Sequence, residues 1–472
     1  MLKNKILFTS SKYIAFLLKF IQGLYIAKYL GPSGLAYYGF SQLISLYVSF
    51  IHFGIPFSIH TLLSVSNNDD SMKVKTYISD AFSFLLLSGI VFCIIGGIAI
   101  FNYPTVFIKF HFYRYGILSI VIGVNLFIVQ FFSNVYQVYG QYLRVALIEM
   151  ASIIILFIAI FFYRGDVEYF LYNILLISAL TIILSLFFFL YKAPFRIRFS
   201  LRKEVLMLLI RVGLPMLVST VGFYLITFSV RSISNYQYSL HEIGLFTFAL
   251  SISNAIMMGL NAISWTYYST ILANTCNDIE SAYIYIQKVN TIYNLVLCIS
   301  IFTGILFLPL LFYFLPEYEE FYNGISILLL SQIFMSISFG YSSLLIAQKK
   351  QNATALISFV TLAFTILLSI VVCIFNLPFL FQTIVILISM FFYSAQICYS
   401  AAKLCEKNFA FIFFKGVFTY KMSVPALILF IMILYNTGFW GYLSATLIFF
   451  VFNYVDIKCF LIPLLQRSKI KY

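Results

Sequence analysis

Fourteen stretches of roughly 20 mostly apolar residues succeed one another along this chain, and each can cross a bilayer's hydrocarbon core as a helix. They centre on residues 12–30, 38–63, 78–101, 117–141, 145–163, 171–191, 213–234, 243–271, 291–315, 323–346, 353–376, 379–402, 423–437 and 439–462. Of the 472 residues 62% are hydrophobic and only 9% charged, where a soluble domain carries about 25% charged residues. No fold in water hides that much apolar surface. Inside a bilayer each segment must satisfy its own backbone polar groups, which selects helices. The chain is therefore predicted to be an all-α polytopic membrane protein with about 14 transmembrane helices.

The charges orient it. With both termini placed in the cytoplasm, Lys109, Arg114 and Arg164 fall in outer loops, and Lys19, Lys28 and Arg231 fall inside helices. Every other Lys and Arg of the 29 lies in a cytoplasmic segment, which is the positive-inside pattern. The net charge of +14 is thus mainly a topology signal, and a nucleic-acid partner is not implied. The outer loop "PEYEEFYN" is acidic, as this orientation permits. The seven cysteines show no metal-ligand spacing and read as reduced packing residues. The four histidines, His52, His60, His111 and His241, are scattered, so neither a metal nor another cofactor is expected. The N-terminus shows no signal-peptide cleavage pattern.

A faint internal repeat divides the chain. Ala36-Tyr37-Tyr38 aligns with Gly244-Leu245-Phe246, each opening a helix that runs into Ser-rich apolar sequence. The offset spans six helices, and the basic stretch around "FSLRKEVLMLLIRVG" lies between the halves. The expected plan is a six-helix N-terminal lobe over 1–195, an amphipathic cytoplasmic linker over 196–212, a six-helix C-terminal lobe over 213–405, and a loop, helix pair and basic tail over 406–472. The linker is predicted to lie along the membrane surface. Pseudo-symmetric halves are a recurring transporter plan, with the substrate site between them.

Polar residues at helical spacing mark the faces that avoid lipid. Gln130, Asn134, Gln137 and Gln141 share one face of the fourth helix. Ser45, Ser49, His52 and Pro56 repeat this in the second, and Ser251, Asn254, Met258 and Asn261 approximately so in the eighth. Two readings stand: hydrogen bonds between helices, or a hydrated cavity between the halves. A lysine in hydrocarbon costs about 2.5–3.5 kcal/mol on insertion scales. Lys28 lies near a helix end and can snorkel. Lys19 lies about 10 Å into its helix at 1.5 Å per residue, so it either faces a cavity, with Gln22 on its face, or pairs locally. Arg231 is placed in the outer half of the seventh helix. Among the acidic groups, Glu149 either pairs with Arg144 at the interface or couples an ion, and Asp80 and Asp456 are expected at the cytoplasmic interface. A cavity rich in cations and poor in carboxylates suits an anionic substrate such as a polyprenyl pyrophosphate sugar, with amides meeting the sugar and Lys or Arg the pyrophosphate.

The segment "YIAKYLGPSGLAYYGF" resembles the opening of Wzx-type polysaccharide flippases, which belong to the multidrug/oligosaccharidyl-lipid/polysaccharide exporter superfamily. Lys28, Leu30, Gly31, Pro32, Gly34 and Tyr38 carry the match. Gly213, Pro215, Arg231 and Gly244 resemble the family's helix 7–8 region. The resemblance covers residues 1 to about 405. It implies alternating-access movement of an undecaprenyl-pyrophosphate-linked oligosaccharide, such as an O-antigen repeat unit, across a bacterial inner membrane. It also implies bilayer lipids and a polysaccharide polymerase machinery as partners. Many relatives carry an acidic residue just before the helix 7 basic residue; here that position is Val230. Two other classes compete. A polytopic O-antigen polymerase or ligase would need a large outer loop bearing Arg and His, and the chain contains no Ser-His-Asp set, phosphate loop or carboxylate pair. A drug/cation antiporter of the same superfamily would need buried carboxylates, in which the chain is poor.

Overall fold

A computed structural model describes residues 2–65, 71–103, 108–163, 165–191, 193, 195, 197–275, 279–348 and 350–469. Arg164, Lys192, Arg196, Lys349, Lys471 and Cys276 of the patterns above lie outside them. Among the described residues the chain contains helices and no strand. In order they are α1 (Leu2–Ser49), α2 (Ile55–Val65), α3 (Ser71–Asn102), α4 (Phe112–Val138), α5 (Tyr142–Phe161), α6 (Val167–Leu190), α7 (Lys203–Gln237) and α8 (Leu240–Thr275). There follow α9 (Ile279–Phe314), α10 (Tyr322–Ser336), α11 (Phe339–Ala347), α12 (Gln351–Ile374), α13 (Leu380–Leu404), α14 (Phe409–Phe411), α15 (Tyr420–Leu434) and α16 (Gly438–Lys469). Among the described residues 11 helices are long and apolar enough to cross a membrane, or 13 if each of two bent pairs is one span. The chain is a multi-pass membrane protein.

Helix boundaries depart from the sequence reading where backbone chemistry intervenes. At 1.5 Å per residue, α1 contains about 72 Å of helix, more than twice the hydrocarbon thickness. It is interrupted at Gly31, whose φ of 61° and ψ of 178° are non-helical. Glycine adopts this backbone without a Cβ clash, and Pro32 follows as the first residue of the renewed helix, where no N–H is needed. The second expected helix, 38–63, is not continuous: it breaks over residues 50–54 and resumes as α2. The break is stabilised by His52, buried at 1% exposure, whose Nδ1 accepts the Gly54 N–H at 3.0 Å. The expected tenth helix is also split, into α10 and α11. Helix α7 starts at Lys203, ten residues earlier than expected, and bends by 45° between Lys203–Val218 and Thr220–Gln237. Pro215, one turn before the bend, removes a backbone donor there.

The helices gather into two compact units, residues 1–221 and 222–472, so α7 contributes to both. In the first, α4 is the central element, packed on α1, α2, α3, α5 and α6. Its aromatic face, Phe127, Phe131, Phe132 and Tyr136, is fully buried among Ile55, Ile59, Ile78 and Leu85. Phe132 stacks on Phe189 with centroids 5.7 Å apart. In the second unit α10 is central, against α8, α9, α13 and α15. Helices α12 and α13 are joined by a polar seam: Ser369 Oγ donates to Gln382 Oε1 at 2.7 Å, and Gln396 Nε2 donates to Thr361 Oγ1 at 3.0 Å. Six cysteines among the described residues are free.

Asn290 pins the α10–α11 break from α9. It is fully buried, its Nδ2 donates to the Ile337 and Gly416 carbonyls at 3.0 and 3.3 Å, and its Oδ1 accepts the Gly340 N–H at 3.0 Å. Leucine in its place leaves three buried backbone groups without partners, each costing about 1–3 kcal/mol. Asn290→Leu is expected to lower the apparent melting temperature of detergent-solubilised protein markedly. An unchanged melting curve would contradict the role assigned to this amide.

Candidate functional site

The residues singled out by sequence divide between the units. Lys19, Gln22, Lys28, His52, Gln130, Asn134, Gln137 and Glu149 lie in the first. On α1, Lys19 and Lys28 are exposed, whereas Gln22 is buried with Nε2 lacking a hydrogen-bond partner. Lys19 and Gln22 are neighbours at i, i+3, but only the amide turns inward. Gln130, Asn134 and Gln137 are each half-buried along α4. Asn134 Nδ2 donates to the Pro56 carbonyl at 2.9 Å, tying α4 to the first turn of α2 and leaving its own Oδ1 as an acceptor. The neighbouring residues of the second-helix stripe are bonded likewise: Ser45 Oγ contacts the Ser41 and Ser119 carbonyls, both at 2.9 Å. Glu149 is half-buried on α5. Arg144 is bound to the end of α6, donating to the carbonyls of Phe188 and Tyr191 and lying over the Tyr136 ring at 4.8 Å.

Arg231, Asn254 and Asn261 belong to the second unit. Asn254 is exposed on α8, and the Asn261 side chain lies outside the described residues. Arg231 is 7% exposed and donates from Nη2 to Thr247 Oγ1 at 2.9 Å. Thr247 in turn donates to the Ile243 carbonyl at 2.8 Å, so the guanidinium is held by a hydroxyl oriented from α8. Val230, preceding it, is fully buried. A guanidinium keeps its charge even when desolvated, and a fixed cation at this depth attracts anions strongly in low dielectric.

Several polar groups were not legible as candidates. Asn125 on α4 is buried with Nδ2 lacking a hydrogen-bond partner, and Ser133 is buried with its hydroxyl likewise unbonded. Neither belongs to the glutamine-rich spacing that drew attention to that helix. Asp456 accepts from Lys421 Nζ at 2.5 Å across α15 and α16. Asp80 is fully buried within the protein, beside Arg202 of the segment that leads into α7. A cavity of about 290 Å³ at the start of α8 is bordered by His241, Glu242, Glu320 and Asn323. Its polar groups are already committed: His241 pairs with Glu320, Glu242 accepts from Ser239, and Asn323 bonds Tyr442 and Asn436.

With the two-unit helical fold and its buried cation described, comparison with known proteins fixes the class. The fold is that of the transporters of the MOP superfamily. An inward-facing multidrug resistance MATE family transporter of that superfamily superposes with a TM-score of 0.66 at 15% identity, covering 85% of this chain and 98% of its own. A MOP superfamily transporter from Pyrococcus furiosus, described as having a binding pocket of reverse polarity that suggests a different function, gives 0.61 at 15%, covering 86% and 96%. No curated protein sequence matches significantly. The family model described as polysaccharide biosynthesis protein matches residues 1–268, more than half of the chain, and the chain belongs to that family. The resemblance to Wzx-type flippases drawn from Lys28 to Tyr38 agrees with this membership.

Proposed function

We propose that this transporter flips undecaprenyl-pyrophosphate-linked oligosaccharide repeat units, of O-antigen or a similar surface polysaccharide, across a bacterial inner membrane by alternating access. The observation that carries this reading is Arg231, a buried guanidinium on α7 with a hydroxyl partner on α8, in a chain of the polysaccharide biosynthesis family. In this proposal α1 crosses twice, on either side of Gly31, which makes fourteen crossings with both termini cytoplasmic. Residues 1–195 and 213–405 act as two six-helix lobes joined by 196–212, and 406–472 is an appended loop, helix pair and tail. Lys19, Lys28 and Arg231 receive the pyrophosphate. Gln22, Gln130, Asn134, Gln137, Asn254 and Asn261 face the sugar, His52 supports that face from the α1–α2 break, and Glu149 serves ion coupling. The polyprenyl tail stays among the bilayer lipids, and the polymerase machinery takes the delivered unit. The charge sign separates this reading from a drug/cation antiporter.

Deleting the gene tests it, scoring surface polymer and the undecaprenyl-linked intermediate together. The expected result is loss of polymer, with finished repeat units stranded on the cytoplasmic leaflet. Single repeats still reaching the surface would point to a polymerase, and intact polymer would return the antiporter.

A further inference from the structure

The chain between α6 and α7 presents a surface that the transport reading does not use. Residues 197–202 contain no helix and are fastened to one face of α3. The Arg198 N–H donates to Ser79 Oγ at 3.3 Å and the Ser200 N–H to Ser83 Oγ at 3.0 Å. Four residues of α3 rise about 6 Å while two residues of extended chain advance about 6.6 Å, so alternate backbone amides meet Ser79 and Ser83. Phe195, just upstream, is buried in the core of the first unit. The Arg202 guanidinium lies against the same face, with Nε 3.8 Å from the fully buried Asp80 carboxylate and Nη1 3.4 Å from Thr76 Oγ1. Among the described residues neither Asp80 oxygen accepts a hydrogen bond, and Arg202 is the cation beside this buried carboxylate.

The outward side of the segment is amphipathic. Phe199 is 71% exposed and Leu201 is 40% exposed. Arg198, Arg202 and Lys203 are exposed beside them. The Arg202 side chain keeps 59% of its surface open while its Nε and Nη1 are turned to α3. Aromatic and aliphatic groups alternating with basic ones, on backbone hydrogen-bonded to α3 just before α7, match the layered chemistry of a bilayer surface. Three exposed cations, Arg198, Arg202 and Lys203, against one exposed carboxylate on the segment and its junction with α7, Glu204, leave a net positive charge that matches a negatively charged one. Arg198 and Arg202 are four residues apart, about 13 Å in extended chain, so they meet separate head groups.

We propose that residues 198–203 form a docking surface for the anionic phospholipids of the adjoining leaflet, in which Phe199 and Leu201 enter the acyl boundary, Arg198, Arg202 and Lys203 bind lipid phosphates, and Asp80 positions Arg202. The surface is independent of the cargo. It fixes the chain that leads into α7, the helix shared by both units.

The test places a reporter in the segment. Phe199→Trp is made with Trp265→Phe and Trp440→Phe, which removes the two native tryptophans. The protein is reconstituted in phosphatidylcholine vesicles containing equal fractions of either brominated phosphatidylglycerol or brominated phosphatidylcholine. The expected result is quenching about twofold or more stronger with the anionic lipid, falling to parity at high salt and in the Arg198→Gln, Arg202→Gln, Lys203→Gln variant. Should that variant not fold, the salt series on the unmutated surface decides alone. Equal quenching by both lipids at low salt overturns the proposal in favour of bulk bilayer. Absent quenching overturns it in favour of water or a protein covering the segment.

Discussion

Replacing Gly213 with alanine is expected to destabilise the first unit strongly. Gly54, at the break between α1 and α2, and Gly213, in the first half of α7, cross backbone to backbone. A Cβ on Gly213 would lie 2.2 Å from the Gly54 carbonyl oxygen, and a Cβ on Gly54 would lie 2.3 Å from the Gly213 carbonyl carbon. No side chain is available to rotate away; one helix would have to move. Gly54 also has a φ of +79°, which an L side chain rarely adopts. Overpacking costs about 1–3 kcal/mol where side chains yield, and a backbone collision belongs at the upper end. A cost of about 3 kcal/mol corresponds to roughly 6–12 °C in a domain of this size. Fluorescence-detected size exclusion after heating in detergent measures it, with Gly213→Val more severe. Gly23, where an added methyl would meet nothing within 4 Å, supplies the control: Gly23→Ala is expected to leave the melt unchanged or slightly raised. Equal melting of Gly23→Ala and Gly213→Ala would show that the helices do not cross here.

Arg231→Ala is expected to lower polysaccharide export about 10- to 100-fold at normal protein abundance. Hydrogen bonds to a charged group contribute about 1.5–3 kcal/mol, and each 1.4 kcal/mol is a factor of ten. Arg231→Lys keeps the charge but loses the planar fork, and falls between alanine and wild type. Thr247→Val removes the hydroxyl that receives Nη2 and leaves the charge, so its effect is milder than alanine at 231. Lys19→Ala, on the exposed side of α1, should deepen the defect when combined with Arg231→Ala. Wild-type export by that double variant, well expressed and correctly inserted, would sink the assignment of the anion site. Export is scored in the deletion strain, so failure of the unmutated chain to restore polymer is distinguished from failure of the site.

Much of the helix inventory was legible because hydrophobic length is a local property. A run of about 20 apolar residues has few alternatives once water is excluded. Fine boundaries were less legible. The interruption at Gly31 could be suspected from the Gly-Pro pair, but the break at 50–54 could not. His52 looked like one member of a polar stripe, and only the fold reveals its ring nitrogen receiving the Gly54 amide. Asn134 shows the same ambiguity: its spacing predicts a face, while its bond to Pro56 depends on which helix lies opposite.

Asp80 makes the distinction sharpest. Its sequence position, nine residues after the start of α3, suggests an interface. Yet it is fully buried, and its neighbour Arg202 comes from a segment more than a hundred positions later that bonds the same helix face. The sequence by itself determined a membrane-embedded, all-helical chain, because insertion energy acts segment by segment. Tertiary structure alone decided which partners the polar residues found, such as the Thr247 hydroxyl that receives the buried Arg231 guanidinium. Hydrogen-bond partners at long separation are set by packing, and composition carries no record of them.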